Sequence, residues 1–163
     1  MRVLLFLAFC AFAARPIEAK PVGKASFLAT GEGLALDIKG EGGIVDGDVK
    51  QSSTKISGVF TVKLKDFKTG IAMHDEHMLK ALEVDKYPTA KFTLVEQEPR
   101  SGNITGTLEL HGKSLPYSGQ AEFKGSQVSV TGKIKLSDFG IKPPEYKLAK
   151  VSDEVSITVD LAL

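Results

Sequence analysis

Apolar side chains fall on alternate positions through most of this chain. Leu34, Leu36 and Ile38 alternate with Ala35 and Asp37, and Ile56, Phe60, Val62 and Leu64 oppose Thr61, Lys63 and Lys65, with Gly58 in the missing place. Phe92 and Leu94 follow Pro88, and Leu108 and Leu110 alternate with Thr107 and Glu109. Val128, Val130, Ile134 and Leu136 share one parity across Gly132, and the last segment sets Val155, Ile157, Val159, Leu161 and Leu163 against Ser156, Thr158 and Asp160. A period of two is the strand period, and one apolar face against one polar face describes antiparallel sheet solvated on one side. Gly40-Glu41-Gly42-Gly43, Asp46-Gly47-Asp48 and Ser101-Gly102-Asn103 read as the turns between strands.

One stretch departs from that period. Asp75 reads as a helix N-cap, with Met78, Leu79 and Leu82 on one helical face up to Leu82. Tyr87-Pro88 then returns the chain to an extended path. With roughly eight strands and no helices to cover a second face, the apolar sides must converge on one another, as in a sandwich or a closed barrel. Long strand patterns over 54–65 and 126–136 favour the barrel, which also removes exposed edges.

A corner is used twice. Leu64-x-Asp66-Phe67 with Gly70-Ile71 reappears as Leu136-x-Asp138-Phe139-Gly140-Ile141, each time at the end of an alternating run. Two carboxylates suggest paired acid–base chemistry. Their matching context points instead to Asp66 and Asp138 accepting backbone N–H bonds in the turn after a strand. The chain has no tryptophan to stack a sugar.

The N-terminus changes the picture of where the protein works. Arg2, an apolar run over 3–14 and a polar exit ending at Ala19 form the pattern of a cleaved secretory signal, too short for an ordinary membrane span. Residues 1–19 are thus expected to be removed, leaving one domain over 20–163 in the periplasm or secreted. The single cysteine, Cys10, lies in the leader, so a hydrophobic core must hold the domain together. The leader carries Arg2, Arg15 and Glu18, so the domain is formally neutral and lacks the basic stripe a nucleic acid needs. No second long apolar segment exists to span a membrane.

His74, Asp75, Glu76 and His77 are the densest cluster of reactive side chains. His74 and His77 could share a helical face and hold a metal with His111. Against this, the glutamate is misplaced for a zinc-protease helix, and a helix N-terminus disfavours a charged imidazole. No serine nucleophile elbow, phosphate-binding glycine loop or CxxC pair is present. The inward parity assigns Phe60, Val62, Phe92, Leu94, Leu108, Tyr117, Val130 and Ile134 to the interior, beside small Gly58, Gly106 and Gly132. An eight-stranded barrel can either fill with side chains or hold one small ligand. So few large inward residues favour a cavity.

T-G-I-A-M-H-D-E-H-M (69–78), L-E-V-D-K-Y-P-T-A-K-F (82–92), G-T-L-E-L-H-G-K-S-L-P (106–116) and L-S-D-F-G-I-K-P-P (136–144) together resemble the YceI-like family. The resemblance implies an all-β fold: an eight-stranded antiparallel lipocalin-like barrel with one short helix. It also implies a secreted or periplasmic protein holding a polyisoprenoid, a quinone or another long-chain lipid, with no metal, cofactor or catalysis. Two departures stand out. The family usually has arginine where this chain has His74, and its following segment is commonly longer than Met78 to Leu82. A mostly neutral imidazole near the mouth favours a neutral isoprenoid over a pyrophosphate. Two alternatives stay open: an enzyme using His74, His77 and His111, or a filled barrel acting as a protein-interaction module. Ligand identity and oligomeric state are not legible.

Overall fold

The computed structural model describes residues 22–32, 37–146 and 149–162; the expected leader lies outside them. Alternation becomes strands: β1 (Val22–Glu32), β2 (Asp37–Gln51), β3 (Ile56–Lys63), β4 (Thr89–Gln97), β5 (Asn103–Leu110), β6 (Lys113–Lys124), β7 (Gln127–Lys135), β8 (Glu145–Tyr146) and β9 (Ala149–Ala162). Strands β1 to β7 pair in sequence order, β7 pairs with β9, and β9 closes the sheet on β1. Every pairing is antiparallel. Eight strands therefore form a closed barrel, and the two-residue β8 lies alongside the start of β9. Closure leaves the eight no free edge.

The inward parity is the apolar one. Ala25, Val45, Leu94, Leu108, Val128, Ile134, Val155 and Leu161 are buried from six of the eight strands, and the alternate positions face water. Three parts of the sequence reading change. Gly40–Gly43 and Asp46–Asp48 are not turns but the interior of β2. There the register slips between Ala25 and Phe27 of β1, and Gly42 takes a φ of 97°, a left-handed conformation that suits glycine. Leu34 and Leu36 lie outside the described residues. The Ser101–Asn103 turn is found, joining β4 to β5.

The helix, α1 (Ala72–Ala81), begins earlier than Asp75, and its N-cap is Ile71, which makes no side-chain capping bond. Asp75 sits in the first turn and reaches back. Its Oδ1 accepts the Thr69 N–H and the Thr69 hydroxyl, both at 2.7 Å. The carboxylate thus ties the loop to the helix instead of starting it. Met78, Leu79 and Leu82 pack against the core, as their common face requires.

The repeated corner is real, though not in its hydrogen bonds. Leu64–Asp66 and Ser137–Phe139 are both short 3-10 turns, and Phe67 and Phe139 are both buried. Neither Asp66 nor Asp138 accepts a backbone N–H from a described residue. Asp153 does that work at the second corner, taking the Ser137 N–H at 2.8 Å and its hydroxyl at 2.6 Å. At both corners a Ser or Thr supplies the donors and an aspartate further along the chain supplies the acceptor.

Candidate functional site

Inside the barrel lies a cavity of about 390 Å³. That falls within the roughly 300–1,000 Å³ of small-molecule sites. Phe60, Val62, Phe92, Leu94, Leu108, Tyr117, Val130, Ile134 and His74 all line it. The interior is open, so the filled-barrel alternative is set aside.

The lumen stays open because of where its rings rest. Three inward aromatics lean on glycines of the next strand. Phe92 of β4 lies against Gly106 of β5, Tyr117 of β6 against Gly132 of β7, and Phe27 of β1 against Gly40 of β2. A Cβ at any of these glycines would collide with the ring. Phe60 stacks beside Phe92 at 6.5 Å, and Phe92 meets Tyr117 edge-on at 5.8 Å, so the rings pave the wall. Parity alone placed Phe60, Phe92 and Tyr117 inward; the ring–glycine pairing needed the register between strands.

Sequence reading missed the contribution of β1 and β2. Ala25, Phe27, Ala29, Ile38, Val45 and Val49 complete the apolar wall. Their signal was hidden because glycines take several inward places in β2. Polar groups lie mainly at the two ends. Gln97, Glu98, Arg100 and Ser101 stand where β4 turns into β5, and His74, His77, Glu145 and Lys150 stand at the α1 end. Tyr117 carries a phenol within the lumen, and burial pushes its pKa above the ordinary phenol value. It stays a neutral hydrogen-bond donor at physiological pH.

The three histidines do not converge. His74 and His77 line the cavity from α1, while His111 takes a φ of 52° in the β5–β6 turn. Its Nδ1 lies 3.2 Å from the Phe139 carbonyl, to which it donates, and its ring packs on Tyr87 at 4.6 Å. Nε2 stands 3.7 Å from a Glu83 carboxylate oxygen, beyond hydrogen-bond reach. His111 thus braces the corner at Phe139. Among the described residues no three His, Cys, Asp or Glu side chains group as a metal site, so the three-histidine reading has no geometric support.

A closed eight-stranded antiparallel barrel with an apolar lumen and one helix at its end defines a lipocalin-like intracavity site. The family model that matches this chain, over residues 22–163, is the YceI-like domain, and the chain belongs to that family. A UPF0312 protein of Pseudomonas putida (strain W619) is 32% identical over 123 residues, covering 66% of this chain and 63% of its own length. The chain therefore spans less than two thirds of that curated relative. Among solved structures, Burkholderia cenocepacia BcnA superposes with a TM-score of 0.69 at 22% identity, covering 86% of this chain and 96% of BcnA. A polyisoprenoid binding domain from Saccharophagus degradans, implicated in plant cell wall breakdown, gives 0.65 at 15% identity, covering 88% and 97%. At such identities these two likenesses show the fold alone.

Proposed function

We propose that this protein is a carrier or sequestering protein that holds an apolar chain, a polyisoprenoid, quinone tail or related lipid, inside its barrel. We place it in the periplasm or outside the cell, and assign it no catalytic role. The observation that carries the reading is the cavity wall, built almost wholly of aliphatic and aromatic side chains. The likeness of fold to a polyisoprenoid binding domain supports it. At about 0.8 kcal/mol per buried CH₂, three isoprene units contribute roughly 12 kcal/mol before ordering costs. Affinity then needs no strong polar anchor. His74 at one end and the Tyr117 phenol within orient a neutral head group such as a quinone carbonyl or an alcohol.

Native mass spectrometry with lipid extraction, on protein beginning at Lys20, tests the reading. An isoprenoid-sized adduct is expected, and it should be lost in Val130→Trp, which fills the lumen. A folded Val130→Trp protein that kept the same adduct would place the ligand elsewhere. Wild type that carried no adduct after incubation with solanesol would end the proposal.

A further inference from the structure

The two copies of the repeated corner end differently. Ile141 of the second copy is 2% exposed, as an isoleucine closing a turn against a core should be. Ile71 of the first is 49% exposed, and the two residues after it, Ala72 and Met73, are exposed as well. Ile71 is not on a loose loop. Its N–H donates to the Thr69 hydroxyl oxygen at 3.3 Å, and that hydroxyl donates to Asp75 at 2.7 Å. The backbone is tied while the apolar side chain points to water.

Met73 shows what this display adjoins. It is 47% exposed and also lines the cavity, as do His74 and His77 on the same helix. Met73 therefore belongs both to the exposed apolar rim that begins at Ile71 and to the lining of the lumen. No residue of α1 is fully buried, so the rim is seated lightly on the barrel. A long isoprenoid cannot wait free in water, so its source must reach an end of the barrel. The α1 end displays Ile71 and Met73, whereas Gln97, Glu98, Arg100 and Ser101 line the other. A bilayer is the source whose chemistry matches half-exposed isoleucine and methionine at a helix start.

We propose that the α1 end of the barrel docks on a lipid bilayer, with Ile71 and Met73 entering its interface, and that the apolar chain passes there between membrane and lumen. This rests on the reading of the cavity as a lipid site. The rim carries both signs: Lys68 and Lys150 against Glu76 and Glu145, with His74 and His77 and the tied Asp75 between them. Docking should therefore come from apolar insertion and persist when salt is raised.

The test uses phosphatidylcholine–phosphatidylglycerol vesicles, with and without solanesol, and Ile71→Ser. Ile71 does not line the cavity, and serine is a better helix cap than isoleucine, so α1 keeps its start. Wild type should float with vesicles and take up solanesol at a rate that rises with vesicle concentration. Ile71→Ser should reach the same final loading about tenfold more slowly, the order expected for one apolar side chain withdrawn from the interface. Equal rates and equal flotation would overturn the docking, as would wild type that ignores vesicles yet loads from detergent. If wild type takes up no solanesol by either route, the lipid reading falls. Flotation of the two proteins on lipid-only vesicles still decides the docking.

Discussion

The corner after β3 and the corner after β7 are written in nearly the same residues and do different things. Both end a strand with a leucine, turn through a short 3-10 segment and bury a phenylalanine. After Phe139 the chain reaches Gly140 at once, with a φ of 74°. The Gly140 N–H bonds Ser137 at 2.9 Å and the Ile141 N–H bonds Leu136 at 3.0 Å. That tight reversal drops Ile141 into the core. After Phe67, Lys68 and Thr69 intervene before glycine. Lys68 pairs with Glu41 of β2 through two backbone bonds of 2.8 and 2.9 Å, so the chain runs on along β2 instead of reversing at once. Two residues of spacing turn a core plug into a displayed side chain.

The largest effect separating the corners should come from their isoleucines. Ile141→Ser removes a buried aliphatic side chain and leaves a hydroxyl in its place. It should cost about 2–5 kcal/mol of unfolding free energy, read from urea denaturation. Ile71→Ser should stay within about 0.5 kcal/mol of wild type in the same measurement. Matching losses at the two sites would mean that the corners are equivalent in packing.

The shared element comes next. Phe67→Ala and Phe139→Ala should each cost roughly 3–5 kcal/mol, because both rings are buried beneath their turns. Phe67 also meets Phe27 edge-on at 5.6 Å, so its loss should loosen β1 as well. Hydrogen exchange should show faster opening of β1 in Phe67→Ala than in Phe139→Ala; the reverse order would refute the pairing.

The smallest effect concerns the two aspartates. Hydrogen bonds from Thr69 hold the Asp75 carboxyl below its ordinary pKa, and bonds from Ser137 do the same for Asp153. A lowered folded pKa means the contribution is present above the usual carboxylate range and fades as pH falls through it toward the folded value. Asp75→Asn and Asp153→Asn should therefore flatten the acid side of the pH–stability curve, while neutral pH shows a modest loss. An unchanged acid slope in both variants would show that these clasps are not closed in solution.

Much of the barrel was legible because inward residues recur every second position regardless of what they pack against. That is why Phe60, Val62, Phe92, Leu94, Leu108, Tyr117, Val130 and Ile134 could be set on the cavity wall before any contact was known. Strand β2 was harder. Its glycines carry no hydropathy signal and resemble turn residues, although Gly40 is where the Phe27 ring needs space. Strand β6 carries Pro116, whose missing N–H argues against a ladder position, yet it stands opposite Thr107 within the closed sheet. The start of α1 could not be placed because the usual sign, a polar N-cap, is absent there and an aspartate three residues inside the helix imitated it. The exposed position of Ile71 follows a bridge between Glu41 and Lys68, a long-range pairing that no local pattern encodes.

The rings that rest on glycines have a mechanical consequence. By lying along the wall they leave space that the folded chain encloses and the unfolded chain surrenders, so unfolding an empty barrel shrinks the system. Hydrostatic pressure favours the smaller volume and bears hardest on proteins with internal voids. An occupied lumen has less void to surrender. Cargo in this barrel would thus act as a filler against compression, and Gly106 and Gly132, with no side chains of their own, set how much there is to fill.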